Sequence, residues 1–332
     1  MISFFDSTLR DGSHAVSHKI SADQIREYCE GIDDAGLYTV IIGHGNGIGG
    51  SSHLVGFSAV NDLDGISIAR KVLKKTRLGI FMIPGFATIA DDLEPALKLG
   101  VDLVCVATHC TEADVTQQYI KYIAEAGKEV YAVLMMYHMT TKERLLEEAL
   151  KMQSYGAQGL IIMDSAGAST PDMVSETISH LVQNLSIPVG FHAHNNLGIA
   201  VSNSLVALEN GATIIDGTVR GFGAGVGNCQ LEAVITVLKK MNVETGVDLY
   251  KIMDVSEKVV TKIMIKPQEI DSIGLMGGLT GVFSLYALPI KRAAEKYGVD
   301  ARDIYVEAGK RKIVGGQEDM ITEIAIELSN KK

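Results

Sequence analysis

Residues 103–134 read LVCVATHCTEADVTQQYIKYIAEAGKEVYAVL. Leu103–Ala107 and Glu129–Leu134 are short, mostly apolar runs suited to buried strands, and between them Thr116–Ala126 spaces its apolar residues by three and four, the period of a helix. Gly127 supplies the left-handed turn that stops such a helix before the next strand. Strand, helix and strand in succession make a parallel pair with a crossover.

The same unit recurs on both sides. Further strands are expected at Phe4–Ser7, Tyr38–Ile42, Leu78–Ile83, Gly159–Met163, Val189–His192 and Thr213–Asp216. Helical periodicity marks Ala22–Ala35, Gly65–Lys74, Asp92–Leu99, Lys142–Tyr155, Asp172–Asn184 and Ile199–Glu209, several ending at Gly36, Gly100, Gly156 or Gly211. Eight βα units in residues 1–240 predict an α/β fold, a (β/α)8 TIM barrel, with an open doubly wound sheet as the rival. Beyond it, Thr245–Met264, Gly281–Tyr297 and Asp319–Leu328 read as helices, so residues 245–332 are expected to form an all-helical extension on the barrel mouth.

Composition excludes several classes. Net charge is −10 and Lys and Arg form no basic run, which argues against nucleic acid as a partner. No stretch approaches the roughly 20 apolar residues of a membrane span. Met1–Asp6 lacks the charged and apolar regions of a signal peptide. Cys29, Cys105, Cys110 and Cys229 form no CxxC and are expected as reduced thiols, so a cytoplasmic location is the expectation.

In a barrel the chemistry sits where strands end. Strand seven runs into Phe191-His192-Ala193-His194-Asn195-Asn196. Alternate residues of a strand share a side, so the two imidazoles stand about 6–7 Å apart at Cα and can converge on one ion. Asp11, after strand one, is the natural third ligand, and an N2O set with open positions suits Mn, Mg, Fe or Zn. Arg10 beside it can stabilise an enolate oxygen or clamp a carboxylate, and His14 is a candidate general base. His109, Cys110, Glu112 and Asp114 have the composition of a metal cluster, but Glu112-Ala113-Asp114 reads better as a helix cap. His44, His53 and His138 read as hydrogen-bonded core or rim groups. Gly45–Gly50 formally matches GxGxxG, but no helix begins at once, which argues against a dinucleotide site. Gly221–Asn228 suits a phosphate or carboxylate loop or a tight turn.

Thr8-Leu9-Arg10-Asp11-Gly12 together with His192-Ala193-His194 resembles the metal-dependent pyruvate aldolases and Claisen-condensing barrels, the HMG-CoA lyase-like group. Ala107–Asp114 (ATHCTEAD), Leu134–Thr140 (LMMYHMT), Gly223–Asn228 (GAGVGN) and Val314–Met320 (VGGQEDM) narrow the resemblance to the 4-hydroxy-2-oxovalerate aldolases over nearly the whole chain. That resemblance implies a lyase of aromatic hydrocarbon catabolism that splits a 4-hydroxy-2-oxo acid into pyruvate and an aldehyde. It implies Asp11, His192 and His194 on Mn2+ (or Mg2+, Co2+ or Zn2+), which chelates the 2-oxo acid, and Arg10 on the pyruvate enolate. It further implies His14 as base for the 4-hydroxyl and Ser165 near the substrate carboxylate. Asn195, Asn228, Phe283 and Tyr286 are expected around these groups. The resemblance also implies an acylating aldehyde dehydrogenase as partner and a homo- or hetero-oligomer. Three positions depart from the pattern: Ile41 replaces a glutamate that holds the arginine, Phe283 replaces a tyrosine, and Asn195 replaces a histidine. The HAHNN run makes an acyl-CoA-dependent condensing enzyme the second reading. A non-catalytic, partner-binding subunit is the third.

Overall fold

A computed structural model describes residues 2–331. Among them, β1 (Ser3–Asp6), β2 (Thr39–Ile42), β3 (Arg77–Met82), β4 (Leu103–His109), β5 (Glu129–Met135), β6 (Gly159–Asp164), β7 (Val189–Ala193) and β8 (Ile214–Gly217) pair in parallel, in chain order. β8 returns to β1, so the sheet closes, as the repeating βα pattern predicts. The crossovers are α1 (Ala22–Ile32), α2 (Asp62–Val72), α3 (Glu94–Lys98), α4 (Gln117–Glu125), α5 (Lys142–Tyr155), α6 (Pro171–Asn184) and α7 (Ala200–Glu209), with α8 (Leu231–Lys240) after β8. Local chemistry sets their ends. Ser21 and Gln24 form a reciprocal capping box on α1, and Gly156, at φ 113°, closes α5 in a conformation only glycine adopts readily.

Inward strand positions build the barrel core from Phe5, Ile41, Phe81, Leu103, Cys105, Tyr131, Val133, Ile161, Met163 and Ile214. Outward positions pack under the helices in a second, larger cluster. At the N-terminal ends of the strands a polar and aromatic stopper fills the bore. Tyr131 donates to the Tyr38 hydroxyl (3.1 Å), Tyr38 donates to Glu129 (2.5 Å), and Glu129 pairs with Arg77 (3.0 Å). Phe5 stacks on Tyr38 with ring centres 5.2 Å apart. All four cysteines are buried and unpaired.

The helix expected over 245–264 is α9 (Leu249–Val255), continued by a wide turn at Ser256–Val260 and by Thr261–Ile263. It packs on α1 and α8 at the barrel wall, and Ile252, Val255 and Ile263 join the barrel's outer core. After it come α10 (Ser272–Thr280), α11 (Ala287–Tyr297), α12 (Ala301–Arg311) and α13 (Glu318–Ser329), with their own core around Tyr286, Ile304, Tyr305 and Ile321, joined to the barrel at the ends of β6 and β7. Sequence periodicity found neither α10 nor α12.

α10 seats its backbone on the barrel. Gly274, Gly277, Gly278 and Gly281 form one face, and a Cβ at Gly278 would stand 2.8 Å from Leu197 and 3.0 Å from the Gly167 carbonyl. The seam is stitched by Asn196 Nδ2 to the Gly274 carbonyl (3.0 Å), Ser284 Oγ to Asn196 Oδ1 (3.1 Å) and the Ser284 N–H to the Ser165 carbonyl (3.2 Å).

Candidate active site

β1 ends in a single helical turn, Thr8–Asp11, that turns Arg10 and Asp11 over the barrel mouth, both buried. Gly190, His192 and His194 occupy alternate positions along β7 and its end. The shared parity brings the two imidazoles together, with ring centres 5.2 Å apart. Asp11, His192 and His194 each offer a ligand atom, all within 4.8 Å of one another, the one such group of three or more among the described residues. His109, Cys110, Glu112 and Asp114 do not gather in this way. The turn after β4 is capped by the Glu148 carboxylate, which accepts from the Ala113 N–H (2.8 Å), and neither Glu112 nor Asp114 supplies that cap.

Asp11 is held on both oxygens. Oδ1 pairs with Arg10 Nη1 (2.8 Å), while Oδ2 accepts from Asn228 Nδ2 (2.5 Å) and the Ala224 N–H (3.1 Å). The glycine-rich loop after β8 therefore is a carboxylate loop, and the carboxylate is the chain's own. Burial disfavours charge on Asp11, but the Arg10 guanidinium together with His194, His14 and His192 outweighs it and holds the carboxyl well below the usual range. Burial pushes His194 down to about 3, so its imidazole is neutral near pH 7, with one ring lone pair to offer a cation.

The donor set fits a divalent ion. His192 Nε2 and His194 Nδ1 are buried and have no hydrogen-bond partner among the described residues, an arrangement that costs free energy unless something accepts those lone pairs. Asp216 Oδ2 lies 2.9 Å from His192 Nδ1, though off the direction of an aligned ring N–H.

Arg10 has neighbours that the departure at Ile41 leaves open. Ile41 is buried in the barrel core, and Arg10 instead lies over the Phe81 ring (4.4 Å) and donates from Nη2 to Ser7 Oγ (3.3 Å). His14 stands half-buried in a cluster with His18 and His44, its ring edge-on to His18 at 4.9 Å. Burial, with Arg10 adding to it, pushes His14 down to about 4, against the pull of Asp11. Gly45 leaves room for that ring, since a Cβ there would stand 2.4 Å from His14 Nε2. His44 donates from Nε2 to the Gly56 carbonyl (3.2 Å) and His138 contacts the Gly281 carbonyl (3.1 Å), whereas His53 is exposed against Phe57.

The remaining candidates are spread more widely. Ser165 is buried at the seam, where its hydroxyl accepts from the Met136 N–H (3.3 Å). Asn195 accepts from the Ala200 N–H (3.1 Å) at the start of α7 and belongs to that turn. Phe283 lies half-buried against Tyr286. Tyr286 does not reach the site, because its hydroxyl donates to the Val314 carbonyl inside the extension. Sequence reading missed Ser7, His18 and Asp216. Asp216 shares inward parity with Ile214, and an acid at an inward barrel position is a signal that could have found it.

Residues 1–259 match the HMGL-like family model and residues 268–330 match that of a DmpG-like communication domain. Fold and site thus define an HMGL-like barrel carrying a communication domain. The chain is 51% identical over 326 residues to a 4-hydroxy-2-oxovalerate aldolase of Pectobacterium atrosepticum, covering 98% of this chain and 95% of that one. It is 52% identical over 328 residues to one of Carboxydothermus hydrogenoformans, covering 99% and 97%. The chain belongs to the 4-hydroxy-2-oxovalerate aldolase family. The carboxyl transferase domain of Rhizobium etli pyruvate carboxylase, solved with pyruvate, shares the fold at TM-score 0.81 and 16% identity, covering 99% of this chain and 62% of that one. Among the described residues no helix is long and apolar enough to cross a membrane.

Proposed function

We propose that this chain is a divalent-metal-dependent lyase that cleaves 4-hydroxy-2-oxovalerate, or a related 4-hydroxy-2-oxo acid, to pyruvate and an aldehyde. The observation that carries this reading is the buried Asp11, His192 and His194 cluster with unpartnered imidazole nitrogens directly beneath Arg10. Those three residues would hold the ion, for which Mn2+ is proposed ahead of Mg2+, Co2+ and Zn2+. When bound, it supplies Lewis-acid polarisation of the 2-oxo group. In the cleavage, His14 takes the 4-hydroxyl proton, the 4-oxygen becomes the aldehyde carbonyl and the C3–C4 bond breaks. Its electron pair forms the C2=C3 bond of the enolate as the carbonyl pair moves onto the 2-oxo oxygen, and a proton returned to C3 from His14 completes pyruvate. Arg10 carries the negative charge of the enolate, and Ser165 helps bind the substrate carboxylate. Loss of one hydrogen bond to such a charged group is worth about 1.5–3 kcal/mol, roughly ten- to a hundred-fold in rate. The exchange at Ile41 therefore bears on rate and aldehyde preference more than on reaction class.

The partner in this reading is an acylating aldehyde dehydrogenase that receives the aldehyde. The match of residues 268–330 supports it, as does the outer face of the extension, where Leu275, Leu279 (74% exposed) and Leu288 stand in solvent. A cytoplasmic setting accompanies it. The test is pyruvate release from a panel of 4-hydroxy-2-oxo acids with Mn2+ and with chelator. Metal-dependent cleavage of one of them is expected; its absence across the panel would remove the reading. Thioester consumption with a 2-oxo acid would mark the condensing alternative. The curated relatives carry the aldolase name, which weighs against it.

A further inference from the structure

We infer that Ser7 and Asp216 are a positioning pair that couples the orientation of Arg10 to that of His192, an inference that rests on the proposed lyase reading. Ser7, just past β1, and Asp216, on the neighbouring strand β8, are both buried beneath the helical turn that carries Arg10 and Asp11. Asp216 is paired in register with His192, so the two side chains project to the same side of adjacent strands.

Their contacts run in one direction. Arg10 Nη2 donates to Ser7 Oγ (3.3 Å), Ser7 Oγ donates to Asp216 Oδ1 (2.8 Å), and Asp216 Oδ2 stands 2.9 Å from His192 Nδ1. A hydroxyl has one hydrogen. Because Ser7 gives it to Asp216, the oxygen is left to accept from the guanidinium. The second carboxylate oxygen lies 2.9 Å from Nδ1, off the line of its ring N–H, and a negative charge that close favours the tautomer with its proton on Nδ1, which keeps the Nε2 lone pair available to a cation. The rest of the Arg10 environment offers its guanidinium one other hydrogen-bonding partner among the described residues, Asp11. Nε has no partner among the described residues, Ile41 and Phe81 are apolar, and Nη1 leans on Asp11, itself a candidate ligand. Among these residues Ser7 is thus the one hydrogen-bonding hold on the Arg10 guanidinium that lies outside the candidate ligand set.

The variants separate the two ends of the chain of contacts. Asp216→Asn keeps the shape but places an amide against either Ser7 or Nδ1. Facing Nδ1, it forces the proton onto Nε2; facing Ser7, it reverses the hydroxyl away from its present role. Mn2+ affinity, read by titrating metal-stripped protein and counting free Mn2+ by electron paramagnetic resonance, is expected to fall about 10- to 100-fold. Ser7→Ala is expected to leave Mn2+ affinity within about 3-fold while kcat falls about 10-fold, the loss of one hydrogen bond to a charged group. In the double variant the kcat loss should be smaller than the product of the single losses, because either change already severs the coupling. Circular dichroism and the melting temperature of each metal-free variant confirm folding, and Ser7→Ala, a deletion of one atom, keeps the test open if Asp216→Asn misfolds. Unchanged Mn2+ affinity in Asp216→Asn together with unchanged kcat in Ser7→Ala would overturn the pair. If the wild type cleaves no 4-hydroxy-2-oxo acid, the lyase reading fails, and the Mn2+ titration still judges the hold of Asp216 on His192.

Discussion

Gly45→Ala should switch off His14 without touching the metal ligands. The added Cβ would stand 2.4 Å from His14 Nε2 and 2.5 Å from Cδ2 and Cε1, three atoms of the same ring. Ordinary carbon contacts lie at about 3.5–4.0 Å, so the ring must retreat by about 1 Å. A displacement of about 1 Å in a reacting group can cost about 100-fold in rate, or about 2.7 kcal/mol of barrier. Overpacking adds a stability loss of about 1–3 kcal/mol. Backbone strain does not contribute, because Gly45 is not among the positive-φ glycines. The assay follows pyruvate release with saturating Mn2+, alongside Mn2+ affinity and the urea midpoint. The expected result is kcat lowered about 100-fold with Mn2+ affinity within about 3-fold of wild type. A kcat within about 3-fold, with a crystal structure of the variant showing His14 unmoved, would refute the claim that Gly45 exists to seat that ring.

Other outcomes follow from the same geometry. His192→Ala should abolish Mn2+ binding and turnover together, whereas His14→Ala should slow turnover and keep the ion; equal metal loss in both would show the roles to be misassigned. His18 is buried and pushed by that burial down to about 3, while the unfolded chain takes up the proton near about 6.5. Between those values only the unfolded state binds it, so stability should fall with falling pH, by at most about 1.4 kcal/mol per unit. Urea midpoints at pH 7.5 and 5.5 should therefore drop more for wild type than for His18→Asn, and parallel curves would contradict this. Gly278→Ala should push α10 off the Gly167 and Leu197 loops at a cost of about 1–3 kcal/mol, seen in thermal unfolding, with an unchanged melting temperature counting against the tight seat.

The barrel was legible because each unit repeats one signal: an apolar run, a 3.6-period segment and a stopping glycine. His192 and His194 were legible for a related reason, since the two-residue period of a strand fixes their common side. α10 was not, because Ser272–Thr280 has no amphipathic stripe; it buries its glycines and leaves leucines in solvent, the reverse of the usual surface helix. α12 was also missed, with only Ile304, Tyr305 and Ala308 buried along it. The partners of Arg10 could not be read either. A serine three residues before it and an acid more than two hundred residues away have no spacing rule that joins them, and only barrel closure makes β1 and β8 neighbours. The cap at Ala113 comes from Glu148 on the next helix, so the acids nearest in sequence misled.

The stopper of Tyr38, Tyr131, Glu129 and Arg77 makes the barrel a cup and not a tube. Traffic is then one-ended: reactant and both fragments share the upper rim, and the extension already roofs part of it. A protein seated on that roof would stand across the way out, so a reactive fragment would meet it before meeting bulk water.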